Sequence, residues 1–151
     1  MSAETCEAAS ASGREIKLDP EPASVRTARH FVRRNLCDLG FPESADDGAL
    51  IVSELVTNVL RYAPKMSCLV VVRGDAGHPV IEVHDYSSEL PEKHEPDLVS
   101  VHGRGLHVVE ALCEDWDCVR SSSGKAVIVK LHSPIERAKQ EAKGYRNDRS
   151  G

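Results

Sequence analysis

Ser53-Glu54-Leu55-Val56-Thr57-Asn58-Val59-Leu60-Arg61-Tyr62-Ala63 closes a segment, from Pro42 to Ala63, whose apolar residues recur at helical spacing. Leu50, Ile51, Val52, Leu55, Val56, Val59 and Leu60 cover most of a helical circumference, which predicts a helix buried almost all round rather than merely amphipathic. Glu54 and Asn58 lie four residues apart, one above the other on the narrow polar stripe that remains, and Asp47 and Arg61 fall near the same line. A buried carboxylate or amide needs partners, since leaving one unpaired costs about 1–3 kcal/mol or more. Two readings are open. The stripe faces a ligand and holds a metal ion and a reacting group, or it is an internal polar pair or solvated seam.

Around this helix the chain reads as one unit. Residues 1–13 are Ala/Ser/Glu-rich and predict a disordered tail. Glu15 to Leu18 alternates as a short strand and stops at Asp19-Pro20. A first helix is expected from Pro22 to Leu39, with Val25, Ala28, Phe31, Val32 and Leu36 inward and Gly40 as its stop. Arg26, Arg29, Arg33 and Arg34 crowd its other side, either as a solvated face or as a surface for an acidic partner or a second copy of the chain.

After the second helix, Ser67 to Arg73 and Val80 to Asp85 read as a hairpin across Gly74-Asp75-Ala76-Gly77. Residues 86–102 form a long polar segment of lid length. A helix is expected from Gly103 to Leu112, then a hairpin of Trp116–Arg120 and Lys125–His132 across Ser121 to Gly124. The resulting domain, residues 14–133, ends in a charged, partly helical and partly disordered tail, 134–151. The order of elements predicts an α+β fold, a two-layer α/β sandwich with an antiparallel or mixed sheet and helices on one face.

Bulk composition narrows the function classes. A chain of 151 residues with 40% hydrophobic and 28% charged residues suits one globular domain with a real core. The net charge of −5 argues against general nucleic-acid binding, which needs a basic footprint. No apolar run approaches the ~18 residues of a membrane span. The N-terminus lacks the basic start and apolar core of a secretory signal, so a cytoplasmic location is expected. The cysteines are odd in number and show no CxxC, as suits reduced thiols. His94, His102 and His107 lack the Cys or carboxylate that would complete a ligand set.

Two further places can carry chemistry. In Val80–Asp85, alternation puts Ile81, Val83 and Asp85 on one face and Glu82 and His84 on the other. Asp85 therefore lies on the inward side at a strand end, satisfied by backbone or accepting from an exocyclic amino group such as adenine's. Gly103-Arg104-Gly105 opens a helix, as a tight junction or as a phosphate cradle with Arg104 in reach of the anion.

In combination these features resemble the GHKL, or Bergerat, ATP-binding fold of gyrase-type ATPases and sensor histidine kinases. The closest likeness is to single-domain anti-sigma factor serine kinases of actinobacteria. SELVTNVLRYA resembles their N box, IEVHDYSSELP their G1 region, HGRGLHVVEALCEDWDC their G2 region and GKAVIVKL their last strand. The resemblance implies that Asn58 holds the Mg2+ ion on the ATP phosphates and that Glu54 is the general base for a serine hydroxyl. It implies that Asp85 reads adenine, that Gly103 and Gly105 cradle phosphate with Arg104 in reach, and that Leu106 belongs to the same ATP-binding set, beneath a lid formed by 86–102. Arg61, Tyr62 and Ala126 are accessory positions. Tyr62 stands where relatives commonly have histidine and Ala126 where many have threonine. Ser87 and Glu89 replace the G1 glycines, a form that actinobacterial relatives often show.

The activity implied is that of an anti-sigma factor with protein-serine/threonine kinase activity, phosphorylating an anti-sigma factor antagonist. The alternative is a regulatory module that sequesters a protein partner without phosphoryl transfer. Implied partners are a sigma factor and the antagonist, with a homodimer possible and neither nucleic acid nor membrane bound directly. A sensor-kinase fragment fits poorly, because the stretch before the N box is too short for a phosphoacceptor hairpin.

Overall fold

The computed structural model describes residues 13–86, 105–121 and 124–150. Strand β1 (Gly13–Leu18) leads to helix α1 (Ala23–Asp38), a short 3-10 turn (Pro42–Ser44) and helix α2 (Ala45–Tyr62). Strands β2 (Cys68–Asp75) and β3 (His78–Asp85) follow, then helix α3 (Gly105–Leu112), strands β4 (Asp115–Ser121) and β5 (Gly124–Lys130), and helix α4 (Pro134–Ser150). The strands form one sheet in the order β1-β2-β3-β5-β4. Every neighbouring pair is antiparallel, so of the two expected sheet types the antiparallel one is realised.

Local chemistry explains the boundaries. Helix α1 ends because Gly40 takes φ +93°, a left-handed conformation that glycine adopts without a Cβ penalty. The Gly40 N–H then donates to Cys37 O and the Phe41 N–H to Leu36 O, which satisfies two carbonyls at the helix end. The β2–β3 hairpin turns on only two residues, Ala76 and Gly77, both with positive φ, as a turn matched to strand twist requires. Gly74, expected in that turn, is instead the last but one residue of β2.

Alternation along the strands builds the core. Val70 faces Val83 and Val72 faces Ile81 across β2 and β3, while Ile81 faces Val129 on β5. This inner face shares one cluster with Ala28, Val32 and Leu36 of α1, with Ile51, Val52, Leu55 and Val56 of α2, and with Leu106 and Val109 of α3. Each buried valine, leucine or isoleucine side chain of this cluster stabilises the fold by about 1.5–3 kcal/mol relative to exposure. Gly48 lets α2 approach α1, since a Cβ there would stand 2.5 Å from Leu36 Cδ1 and 3.0 Å from Val32 Cγ1.

The opposite sheet face carries a polar network. Arg73 Nε donates to Glu82 Oε2 at 2.6 Å, and His84 Nε2 lies 2.8 Å from Glu82 Oε1. Burial pushes the Glu82 carboxyl upward. The bonds and charges of Arg73 and His84 outweigh that and hold it below the ordinary value of 4.5.

The segment expected as a charged tail begins as helix α4. Ser133 Oγ accepts from the Glu136 N–H at 3.2 Å and so caps it, with Pro134 as first helical residue. Arg137 Nη1 then reaches Asp47 Oδ2 of α2 at 3.0 Å. Among the described residues no helix is long and apolar enough to cross a membrane.

Candidate functional site

The polar stripe of α2 lies open to solvent, which corrects the expectation of a helix buried almost all round. Ile51, Val52, Leu55 and Val56 are buried, but Glu54 and Asn58 are only half-buried. Leu50 is 48% exposed on the same stripe. Seven apolar residues suggested a full circumference, yet Leu50 stands one turn before Glu54 on the outward line and Val59 and Leu60 are covered only in part. Glu54 and Asn58 therefore remain one turn apart on a half-buried face of the helix.

Asp85 is buried, 4% exposed, at the end of β3. It faces Cys68 on β2 and Lys125 on β5 in the strand register. Lys125 Nζ lies 3.9 Å from Asp85 Oδ2, so the pair is electrostatic rather than a close hydrogen bond. The Cys68 thiol is pushed up to about 11, first by burial and then by the negative charge of Asp85, and stays protonated at neutral pH. Asp85 thus lies between an ammonium on one side and a neutral thiol on the other. An ionised carboxylate offers about four lone-pair sites, so it accepts from several donors at once.

Gly124 shapes the wall beside it. Its φ is +148°, and a Cβ would fall inside the contact shell of the Asp85 carbonyl oxygen and lie 3.1 Å from Tyr86 Cα. The backbones of β3 and β5 therefore meet at the mouth of the Asp85 site with no room for a side chain.

Topology gathers these groups at one end of the sheet. Asp85 ends β3, Cys68 begins β2 and Lys125 is near the start of β5. The C-terminal turn of α2, with Asn58 and Arg61, leads into Cys68 through residues 63–67. Helix α3 packs along α2, and its C-terminal end connects to the start of β4, where Asp115 pairs with Lys130 at the opposite end of the sheet. The N-terminus of α3, at Gly105, is therefore at the Asp85 end. Its first N–H groups have no intrahelical partner, a disposition that favours anions.

The other expected site residues are placed as follows. The Leu106 side chain is 2% exposed in the core, so it can serve a ligand only through its backbone. Gly103, Arg104, Ser87, Glu89, His94, His102 and the rest of the 87–104 segment lie outside the described residues. Arg61 and Tyr62 are exposed at the end of α2. Ala126 pairs with His84, on the sheet face turned away from Asp85, and it is not brought to the site. His107 is exposed on α3.

Lys125, Cys68 and Gly124 were not singled out in the sequence. A signal for Lys125 was present, because it shares strand parity with the inward Val127 and Val129.

Residues 18–131 match the family model described as histidine kinase-like ATPase domain. Among solved structures, the histidine kinase domain of the Erythrobacter litoralis EL346 blue-light activated histidine kinase is similar at 19% identity and a TM-score of 0.43. That match covers 72% of this chain and 59% of the other, so the chain spans about three fifths of that domain's length. No curated protein matches the chain.

Proposed function

Because the chain belongs to the histidine kinase-like ATPase domain family, whose members bind ATP, we propose that it is a cytoplasmic protein-serine/threonine kinase and anti-sigma factor. It binds a sigma factor and phosphorylates a serine of an anti-sigma factor antagonist. The observation that carries the ATP site is the buried Asp85 at a strand end, walled by a backbone contact that only Gly124 permits. The residues fit the group on this ground. A cradle closed to side chains adjoins a fixed carboxylate, and a half-buried amide and carboxylate stand one turn apart on α2.

In this reading Asp85 accepts a hydrogen bond from the adenine amino group, with the Lys125 ammonium 3.9 Å from its Oδ2. The Asn58 carboxamide oxygen offers the single hard donor that a magnesium ion, which retains several waters, takes from protein. The first N–H groups of α3 and the Arg61 guanidinium supply positive potential for the polyphosphate. Bound ATP supplies the phosphoryl group. Glu54 accepts the proton of the incoming serine hydroxyl. The Ala126 position, on the opposite sheet face, takes no part.

Glu54→Gln separates binding from chemistry. Glutamine is nearly isosteric, so ATP affinity is expected to persist, whereas loss of a positioned base lowers the rate by about 10²–10⁴-fold. Transfer of labelled phosphate from ATP to a purified antagonist, measured beside an ATP-binding isotherm, reads both. Undiminished transfer removes Glu54 as the base. A wild-type chain that binds ATP and modifies no antagonist establishes the sequestering module instead.

A further inference from the structure

At the end of the sheet opposite Asp85, a second group of side chains converges. His78 opens β3, Glu114 precedes β4 and Glu136 lies in the first turn of α4. One ligand atom from each of the three lies within 4.8 Å of the others. His78 Nδ1 is 3.0 Å from Glu114 Oε2 and also 3.0 Å from the backbone carbonyl of Leu131. His78 Nε2 is 3.7 Å from Glu136 Oε1. The other Glu136 oxygen lies 3.8 Å from His132 Nδ1.

We propose that His78, Glu114 and Glu136 form a binding site for a divalent transition-metal ion of the zinc class, distinct from any magnesium carried with ATP. The donor set is one imidazole and two carboxylates, which suits zinc better than the all-oxygen preference of magnesium or calcium. In the tautomer with Nδ1–H, the Leu131 carbonyl and Glu114 Oε2, each 3.0 Å from Nδ1, are its acceptors and the Nε2 lone pair is left toward Glu136, so Glu114 has to turn from Nδ1 to the Nε2 side to join the ion. A ligating histidine ordinarily has such a backbone or carboxylate partner on its other nitrogen. Zinc bonds of about 2.0–2.2 Å fit between Nε2 and Oε1 at their present separation with an open tetrahedral angle. The His78 side chain is only 13% exposed and so held in place, whereas Glu114 and Glu136 are 33% and 40% exposed and free to adjust. Water takes the fourth position.

The three donors come from β3, the α3–β4 junction and α4. A bound ion would therefore fasten α4 to the sheet beside the Arg137–Asp47 contact. This site does not depend on the kinase reading, because none of its residues belongs to the nucleotide end.

Calorimetric titration of the full chain with zinc chloride, without nucleotide and with magnesium in excess, is the test. One zinc per chain is expected. His78→Ala and Glu136→Gln should each weaken it by at least the roughly 10–100-fold that loss of even an outer partner costs. His107→Ala, at an exposed position of α3, should leave it unchanged. Cobalt in place of zinc should show visible ligand-field bands without thiolate charge-transfer absorption. Circular dichroism checks that each variant is folded. Glu136→Gln, on a partly exposed helix face, decides the matter if His78→Ala does not fold. Absence of saturable binding, equal affinity in Glu136→Gln, or a thiolate band pointing to cysteine ligands would each overturn the proposal.

Discussion

Replacing Gly124 by alanine probes how tightly the sheet closes beside Asp85. The new Cβ would collide with the Asp85 carbonyl, 2.9 Å from its carbon, and stand 3.1 Å from Tyr86 Cα. These are backbone atoms of the neighbouring strand and have no rotamer to escape into, so the β3–β5 pair must open. The φ of +148° adds strain of its own for an L-residue, of order 1–3 kcal/mol. Overpacking adds about 1–3 kcal/mol, and the lower chain entropy of unfolded alanine returns less than about 1 kcal/mol. A net loss near 3 kcal/mol should lower Tm by roughly 6–12 °C in a domain of this size. Urea unfolding followed by circular dichroism gives the free energy, and calorimetry on the same sample should show weaker ATP binding because Asp85 moves.

Gly48→Ala is the internal control. Its Cβ meets Leu36 Cδ1, Val32 Cγ1 and Ile81 Cδ1, which are side-chain ends able to yield. Helix propensity also returns about 1 kcal/mol there. It should cost less than Gly124→Ala. A Gly124→Ala protein melting within about 1 °C of wild type, or one more stable than Gly48→Ala, would refute the reasoning.

Asp85→Asn should weaken adenine nucleotides more than guanine nucleotides, because an amide can turn a donor toward the amino group that a carboxylate only accepts from; equal losses for ATP and GTP in a competition assay would count against Asp85 as the base reader. Asn58→Ala should abolish magnesium-dependent ATP binding and leave the melting curve of the free protein nearly unchanged, since the residue is only half-buried; unchanged affinity by calorimetry would remove it as the metal ligand. Glu82→Gln should be less stable than wild type at pH 7. The folded Glu82 carboxyl is held below its ordinary 4.5, so its stabilisation is present above that value and is lost as pH falls through the folded value. The difference between the two proteins should therefore close in acid, and a constant gap from neutral pH downward would contradict it.

Much of this architecture is local and was readable in one dimension. The Gly40 stop, the period-2 alternation that aims Asp85 inward, and the pairing of Glu54 with Asn58 all follow from spacings of a few residues. Ser133-Pro134-Ile135-Glu136 is also a capping signal, and it announces α4 more firmly than the charged composition of that segment suggested. What was not readable depends on register between distant segments. Lys125 lies beside Asp85 because β5 inserts between β3 and β4. The same register turns Ala126 away. Arg137 finds Asp47 ninety positions earlier. Leu50 misled because composition does not say which neighbour fails to cover a leucine.

Strand β3 is paired with β2 along its whole length and with β5 from Val80 to Asp85. At about 3.3 Å per residue it separates His78 from Asp85 by roughly 23 Å. A slip of one residue would carry Ile81, Val83 and Asp85 outward and force Glu82 and His84 into the core, so the strand cannot slide by small steps. It behaves as a fixed ruler between the two ends of the domain. Perturbations at one end should then leave the energetics of the other untouched, and double variants drawn from opposite ends should show free energies that simply add.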